Sequence, residues 1–263
     1  MAQKRGFFCL LLLLVSVLCA AGHAQDQEDE KEWFTKNFCD DGKHMLEVDW
    51  DGSDIEYTCP GMTWPDLSKK EVDVPPIEEC DEVKDKAWHS CMVDGPIVYP
   101  DTIPTSGMHR PVAPAYGEYS YIPPQRWVHA LEHGAAVFLY HPCASPAQVE
   151  KLKRLARGCL RRHIITPYRK LEQTRPLAIV TWGCKLQMPF VDGTAVKFVR
   201  EHALRAPERR MWMDGHYKEK LLVPSDVVPG SDINDDQLCV DLVSGLLLMY
   251  DSRRTVSSSC QSF

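Results

Sequence analysis

The chain contains no Asn-x-Ser/Thr sequon, so N-glycosylation is not expected, and no pair of cysteines is spaced as Cys-x-x-Cys, which argues against a zinc cluster. Gly-x-Ser-x-Gly, a phosphate loop and a dinucleotide fingerprint are all missing. Serine-elbow acyl hydrolysis and nucleotide chemistry therefore have no support. An excess of positive charge is also lacking. A net charge of −7 and a pI near 5.8 argue against a nucleic-acid surface. No internal repeat is visible. Long apolar runs are scarce: after the amino-terminal one, the next stretches from Val240 to Tyr250, is broken by Asp241, Ser244 and Gly245, and is too short to cross a bilayer.

The amino terminus is what stands out first. Lys4 and Arg5 precede an apolar run from Gly6 to Ala21, and Gly22-His23-Ala24 supplies small residues before an acidic stretch. This order predicts a secretory signal peptide over residues 1–24 and a luminal or extracellular mature chain with no transmembrane segment. Of eleven cysteines, two lie in that signal, leaving nine in an oxidising compartment, where disulfides are favoured. Sequence does not fix connectivity; the expectation is Cys39–Cys59 and Cys80–Cys91, with one further bond among Cys143, Cys159 and Cys184, and Cys260 free or paired between chains. The whole chain is 44% hydrophobic, and what remains after the signal is enough for a real core.

Three stretches follow the signal. Residues 25–100 are acidic, bear Trp and Cys, and carry turn signals at Asp51-Gly52 and Pro60-Gly61, so they read as a loop-rich region. Residues 101–206 alternate helical and extended patterns: a short helix after Pro123-Pro124, a strand over 135–141, a helix from Ser145-Pro146 to Gly158, strands over 163–168 and 177–184, and a helix over 193–204. The expectation is an α+β fold, a small sheet with helices packed on one face. Residues 207–263 read as a poorly packed tail with at most one docked element. The basic run Lys151 to Arg169 suits the solvated face of one helix.

His129, Glu132 and His133 form His-x-x-Glu-His, the one place where metal ligands and a general base meet at a meaningful spacing. Histidines four apart share one side of a helix and can share a cation. Pro124 suits the helix start and Gly134 a left-handed stop. In the inverted zinc-hydrolase pattern both imidazoles ligate and the carboxylate activates water. His109, in a Pro/Gly/Ser loop, is the third candidate ligand. His141, at the far end of a strand, is out of reach. Three imidazoles and an open position suit zinc or copper, with affinity falling below about pH 6.5 as imidazole protonates. Tyr116, Tyr119, Tyr121 and Trp127 read as half-buried sheet, and Met211-Trp212-Met213 with His216 as a hydrophobic anchor rather than a copper site.

The strings Pro104-Thr105-Ser106-Gly107-x-His109, Tyr116-Gly117-x-Tyr119 and Val128-His129-x-Leu131-Glu132-His133-Gly134 resemble the domain of unknown function 3105 over roughly residues 95–206. The resemblance implies a site organised around His109, His129, Glu132 and His133, but no mechanism. It extends to a p53-inducible animal branch, which implies a stress-linked, growth-restraining role. That branch's cytoplasmic label conflicts with the signal, which takes precedence, and the absence of a clear span leaves membrane association open. The reading is a secreted metal-binding module that acts on an unidentified protein or small molecule by binding rather than turnover. Its alternatives are a zinc hydrolase with Glu132 as base and a metal-free structural domain.

Overall fold

The computed structural model describes residues 39–69, 73–83 and 87–240. The signal sequence, Cys260 and nearly all of the 240–250 run lie outside these residues. Seven strands form one mixed sheet: β1 Ile77–Cys80, β2 Gly117–Tyr119, β3 Ala136–Tyr140, β4 His163–Pro167, β5 Leu177–Thr181, β6 Cys184–Met188 and β7 Leu221–Pro224, in the order β1-β6-β5-β3-β4-β2-β7. Three helices accompany it: α1 Pro124–Glu132, α2 Pro146–Cys159 and α3 Gly193–His202. The fold is α+β, as the alternation of patterns indicates.

Strands β3, β4 and β2 run parallel, with α2 as the crossover from β3 to β4. The other pairings are antiparallel. The central strands are covered on both faces. Ala136, Phe138, Ile165, Leu177 and Ile179 pack under α2 and α3, while Val137, Leu139, Ile164, Ala178 and Val180 pack under α1. Their alternate residues are therefore all apolar, which is why β3 and β5 read as continuous hydrophobic runs. Two helices thus share one face, and α1, the helix that carries the histidine motif, lies alone on the other.

The run from Leu177 to Cys184, expected as one strand, is a strand and the start of its partner. Trp182-Gly183 turns the chain between paired Thr181 and Cys184, with Gly183 at φ 76°. Gly117 permits the closest strand approach: a Cβ there would meet Val223 O at 2.2 Å, so β7 reaches β2 only over a glycine.

Four disulfides join residues distant in sequence: Cys39–Cys91, Cys59–Cys143, Cys80–Cys184 and Cys159–Cys239. The expected pairing is wrong, because these bonds staple segments to the sheet instead of closing local loops. Cys80–Cys184 links β1 to β6, and Cys159–Cys239 ties the end of α2 to the carboxy-terminal segment.

That segment is not a loose tail as far as residue 240. Besides β7, Asp235 is buried and accepts from the backbone N–H of Arg161 and from the Arg162 guanidinium at 3.1 Å. Arg161 and Arg162 are therefore not on a solvated helix face. They lie beyond the end of α2, buried, with Arg161 also paired to Asp214 at 2.9 Å. Lys153 and Arg157 of the same basic run converge on Glu118 of β2.

Candidate metal centre

Helix α1 begins at Pro124, where a missing N–H costs nothing, and ends at Glu132, with His133 as the C-cap. Gly134 follows at φ 87°, and a Cβ there would lie 3.1 Å from the Leu204 backbone. Glycine is required both by the left-handed turn and by the crossing chain. Trp127, Val128 and Leu131 enter the core, which turns His129 the other way.

His109 does not sit in a free loop. Residues 88–90 run alongside it as a short parallel bridge: the His109 N–H donates to Trp88 O at 3.0 Å, and the Ser90 N–H donates to His109 O at 3.0 Å. The bridge is fixed from behind by Arg110. Its buried guanidinium donates to both oxygens of Asp49, the shortest contact being 2.6 Å, and to the carbonyls of Ser90, Cys91 and Gly95. One arginine thus ties the loop that carries His89 to the strand that carries His109. Arg126 of α1 makes a second such pair with Asp40.

The outcome is a cluster whose ligating nitrogens, from His89, His109 and His129, lie within 4.8 Å of one another. His109 and His129 are buried and His89 is exposed. Ring centroids are 4.6 to 5.0 Å apart. A cation about 2.1 Å from each nitrogen sets the nitrogens about 3.4 Å apart in tetrahedral geometry, and the exposed His89 ring has room to turn toward that spacing.

The hydrogen bonds decide the tautomers. His109 Nδ1 lies 2.9 Å from Gly107 O and His129 Nδ1 lies 2.7 Å from Arg110 O. A carbonyl only accepts, so both Nδ1 atoms carry a proton, and in the neutral ring each Nε2 then presents a lone pair. Backbone-tied Nδ1–H with a free Nε2 is the arrangement of metal-bound histidines. His109 Nε2 is buried without a hydrogen-bond partner. Glu132 Oε2 is 3.2 Å from it, so two acceptors face each other across a gap that a cation would fill.

His133 is beside this set rather than within it. Its ring meets His129 edge to face with centroids 4.7 Å apart, and its Nε2 is 3.2 Å from Glu208 Oε2. Glu208 is held there by its N–H, which donates to Glu132 O at 3.1 Å. Burial pushes the pKa of His129 down to about 3, and burial lowers those of His89 and His133, in the last case against the pull of Glu208 and Glu132. These rings stay neutral, hence able to ligate, below the pH of about 6.5 at which free imidazole protonates.

Of the expected residues, the structure brings His109 and His129 together, with Glu132 in contact with the first and His133 with the second. Sequence reasoning missed His89, which has no second histidine at a helical or strand spacing, and Glu208. His141 stacks on Trp64 at 3.8 Å, away from the cluster. Tyr116, Tyr119, Tyr121 and Trp127 are core residues, and Met211, Trp212 and Met213 are exposed. Elsewhere, Cys80 and Cys184 come near His202, but they are bonded to each other and offer no thiolate. Glu78 and Glu201 beside His202 form a solvated surface group.

Four disulfides fit an oxidising compartment, and among the described residues no helix is long and apolar enough to cross a membrane. Residues 89–215 match the family model described as protein of unknown function (DUF3105). The match begins at His89 and takes in every histidine and carboxylate of the cluster. Comparison with curated proteins and with solved structures gives no match.

Proposed function

We propose that this DUF3105-like domain is a luminal or extracellular module that binds a divalent first-row cation, zinc or copper, through His89, His109 and His129. The observation that carries the reading is the buried Nε2 of His109, without a hydrogen-bond partner and opposed at 3.2 Å by the Glu132 carboxylate. An unpaired buried acceptor costs roughly 1–3 kcal/mol, and one facing an anion costs more. A cation at that point removes the penalty and uses the donor set as it stands. With no thiolate at the cluster, the site is one of imidazole and carboxylate, which zinc and copper both accept.

Binding is favoured over turnover because Glu132 Oε2 faces the same point as His109 Nε2, where it would ligate the cation instead of taking a proton from water. Elemental analysis of protein secreted from cells tests the reading: at least one equivalent of zinc or copper per chain is expected, lost in His109→Ala and in His129→Ala. Protein that takes up no zinc or copper after stripping and reloading would mean that the histidines serve the fold alone. The resemblance to the p53-inducible animal branch would place this module in a stress-linked, growth-restraining setting, with a protein or small molecule as partner. Transcript measurement after DNA damage tests that setting.

A further inference from the structure

The loop between α3 and β7 carries two consecutive arginines, Arg209 and Arg210, whose guanidiniums serve neither the fold nor the histidine cluster. Residues 207–214 form no helix or strand, and all of them are exposed. Among the described residues, neither of these two guanidiniums has a carboxylate partner, whereas Arg161 and Arg162 are committed to Asp214 and Asp235. The other basic pairs that contain arginine are shut off. Lys153-Arg154 is inside α2, Arg161-Arg162 is buried, and Arg169-Lys170 precedes the buried Leu171. Only after Arg210 is the chain exposed on both sides of the bond. An exposed, irregular loop of this kind is where a protease can draw the backbone into the extended form that cleavage needs. Little holds the loop closed: the Met211 N–H donates to Glu208 O at 2.8 Å, and Arg162 donates to Arg209 O at 2.6 Å. Arg162 keeps His133 O, Asn234 O and Asp235 when Arg209 leaves, so opening strands no buried charge.

We propose that the Arg210–Met211 peptide bond is a processing site for a secretory-pathway endoprotease with acidic pockets for two consecutive arginines, and that the processed protein is a two-chain molecule. Carboxylates in such pockets match the two free guanidiniums through charge-assisted hydrogen bonds. In the step itself, water adds across the amide: its oxygen bonds to the Arg210 carbonyl carbon as the C–N bond breaks, leaving a carboxylate on Arg210 and an amine on Met211. The two chains stay together. Beyond the bond, β7 remains paired with β2 and Asp235 with Arg162, and Cys239 is bonded to Cys159 on the other side of the cut. Arg161 also holds Trp212 O, so the new amino terminus remains beside the body of the domain. The oxidising compartment that the four disulfides fit is the one in which the loop would meet such a protease, and the cut requires no bound cation.

Expression of the full chain in secreting cells that also process a control precursor at a paired-arginine site tests this. The wild type is expected to run as one band without reductant and as two with it, and sequencing of the smaller fragment should begin at Met211. Arg210→Gln should run as a single chain in both lanes, and Arg209→Gln should lose most of the cleavage. Both side chains are exposed and unpaired, so the variants should keep the wild-type circular dichroism spectrum. If a variant is not secreted, incubation of purified wild type with a paired-arginine-specific endoprotease gives the same readout, with the first cut expected after Arg210. Wild type that stays one chain under reduction while the control precursor is processed overturns the proposal. A first cut elsewhere, or cleavage that persists in Arg210→Gln, does the same, and fragments that separate without reductant overturn the two-chain form.

Discussion

Replacing Glu132 by Gln should have opposite effects in metal-free and metal-loaded protein. In the metal-free state, His109 has its proton on Nδ1, held by Gly107 O, and its Nε2 lone pair faces Glu132 Oε2 at 3.2 Å in a site where His109 is fully buried. A glutamine amide removes the anion and can turn an N–H toward that nitrogen. Relief of an unpaired buried acceptor is worth roughly 1–2 kcal/mol. For a domain of this size each kcal/mol moves Tm by about 2–4 °C, so the stripped variant should melt about 2–8 °C above the stripped wild type. With zinc the order reverses. A ligand at 100 times its Kd stabilises by about 2.7 kcal/mol, and the variant, lacking the anion beside His109, should gain less from the same zinc concentration. Thermal unfolding followed by circular dichroism, with chelator and then with graded zinc, reads both effects. If His109 instead carried two protons and formed an ion pair with Glu132, the stripped variant would be the less stable protein. That result would refute the tautomer argument and, with it, the main reason for placing a cation here.

Three further outcomes follow from the same coordinates. Asp49→Ala leaves the Arg110 guanidinium buried without its anion, a change that costs roughly 3–5 kcal/mol in comparable pairs; urea unfolding should show this, together with weaker zinc binding as the His89 loop loosens. His163, buried with Nδ1 donating to Leu160 O at 2.7 Å, has its pKa pushed down by burial to about 4. Because the unfolded chain takes up this proton near pH 6.5 and the folded one does not until about 4, stability should be intact above 6.5 and fall by about 2 kcal/mol on reaching pH 5. His163→Gln should flatten that slope, and an unchanged pH profile would count against the assignment. With eight cysteines in four disulfides, denatured but unreduced mature protein should titrate one thiol, and Cys260→Ser should abolish it.

Much of the fold was legible where a local rule applied. Ser145-Pro146 predicts the start of α2, Pro123-Pro124 and Gly134 bracket α1, and the apolar runs mark β3, β4 and β5, because caps, proline and glycine act on their own neighbours. What was not legible depended on distant partners. Leu186 and Met188 alternate with Lys185 and Gln187 as an outer strand should, but only a turn at Gly183 onto β5 makes that stretch a strand. Arg161 and Arg162 look like the end of a basic helix face until Asp214 and Asp235, more than fifty residues on, are placed against them. The disulfides failed for the same reason, since every bond spans at least 52 residues.

The histidine cluster divides along the same line. His129, Glu132 and His133 are visible because helix geometry fixes their relation within five residues. The pattern, however, encouraged a third ligand from a loop that could fold back, whereas His109 is pinned in a bridge whose other half brings its own histidine. His89 has no second histidine at helical or strand spacing, and what places it is Arg110 holding the backbone of residues 90–95 against Asp49. The acidic amino-terminal region is therefore part of the cluster: it supplies one histidine directly, and through Asp40 and Asp49 it supplies the charges that allow Arg126 and Arg110 to be buried behind the other two. A fragment beginning at residue 101 would keep the whole His-x-x-Glu-His motif and lose both His89 and the clamp that positions His109. For that reason the motif alone specifies a helix face, and the three-histidine cluster needs the chain from Cys39 onward.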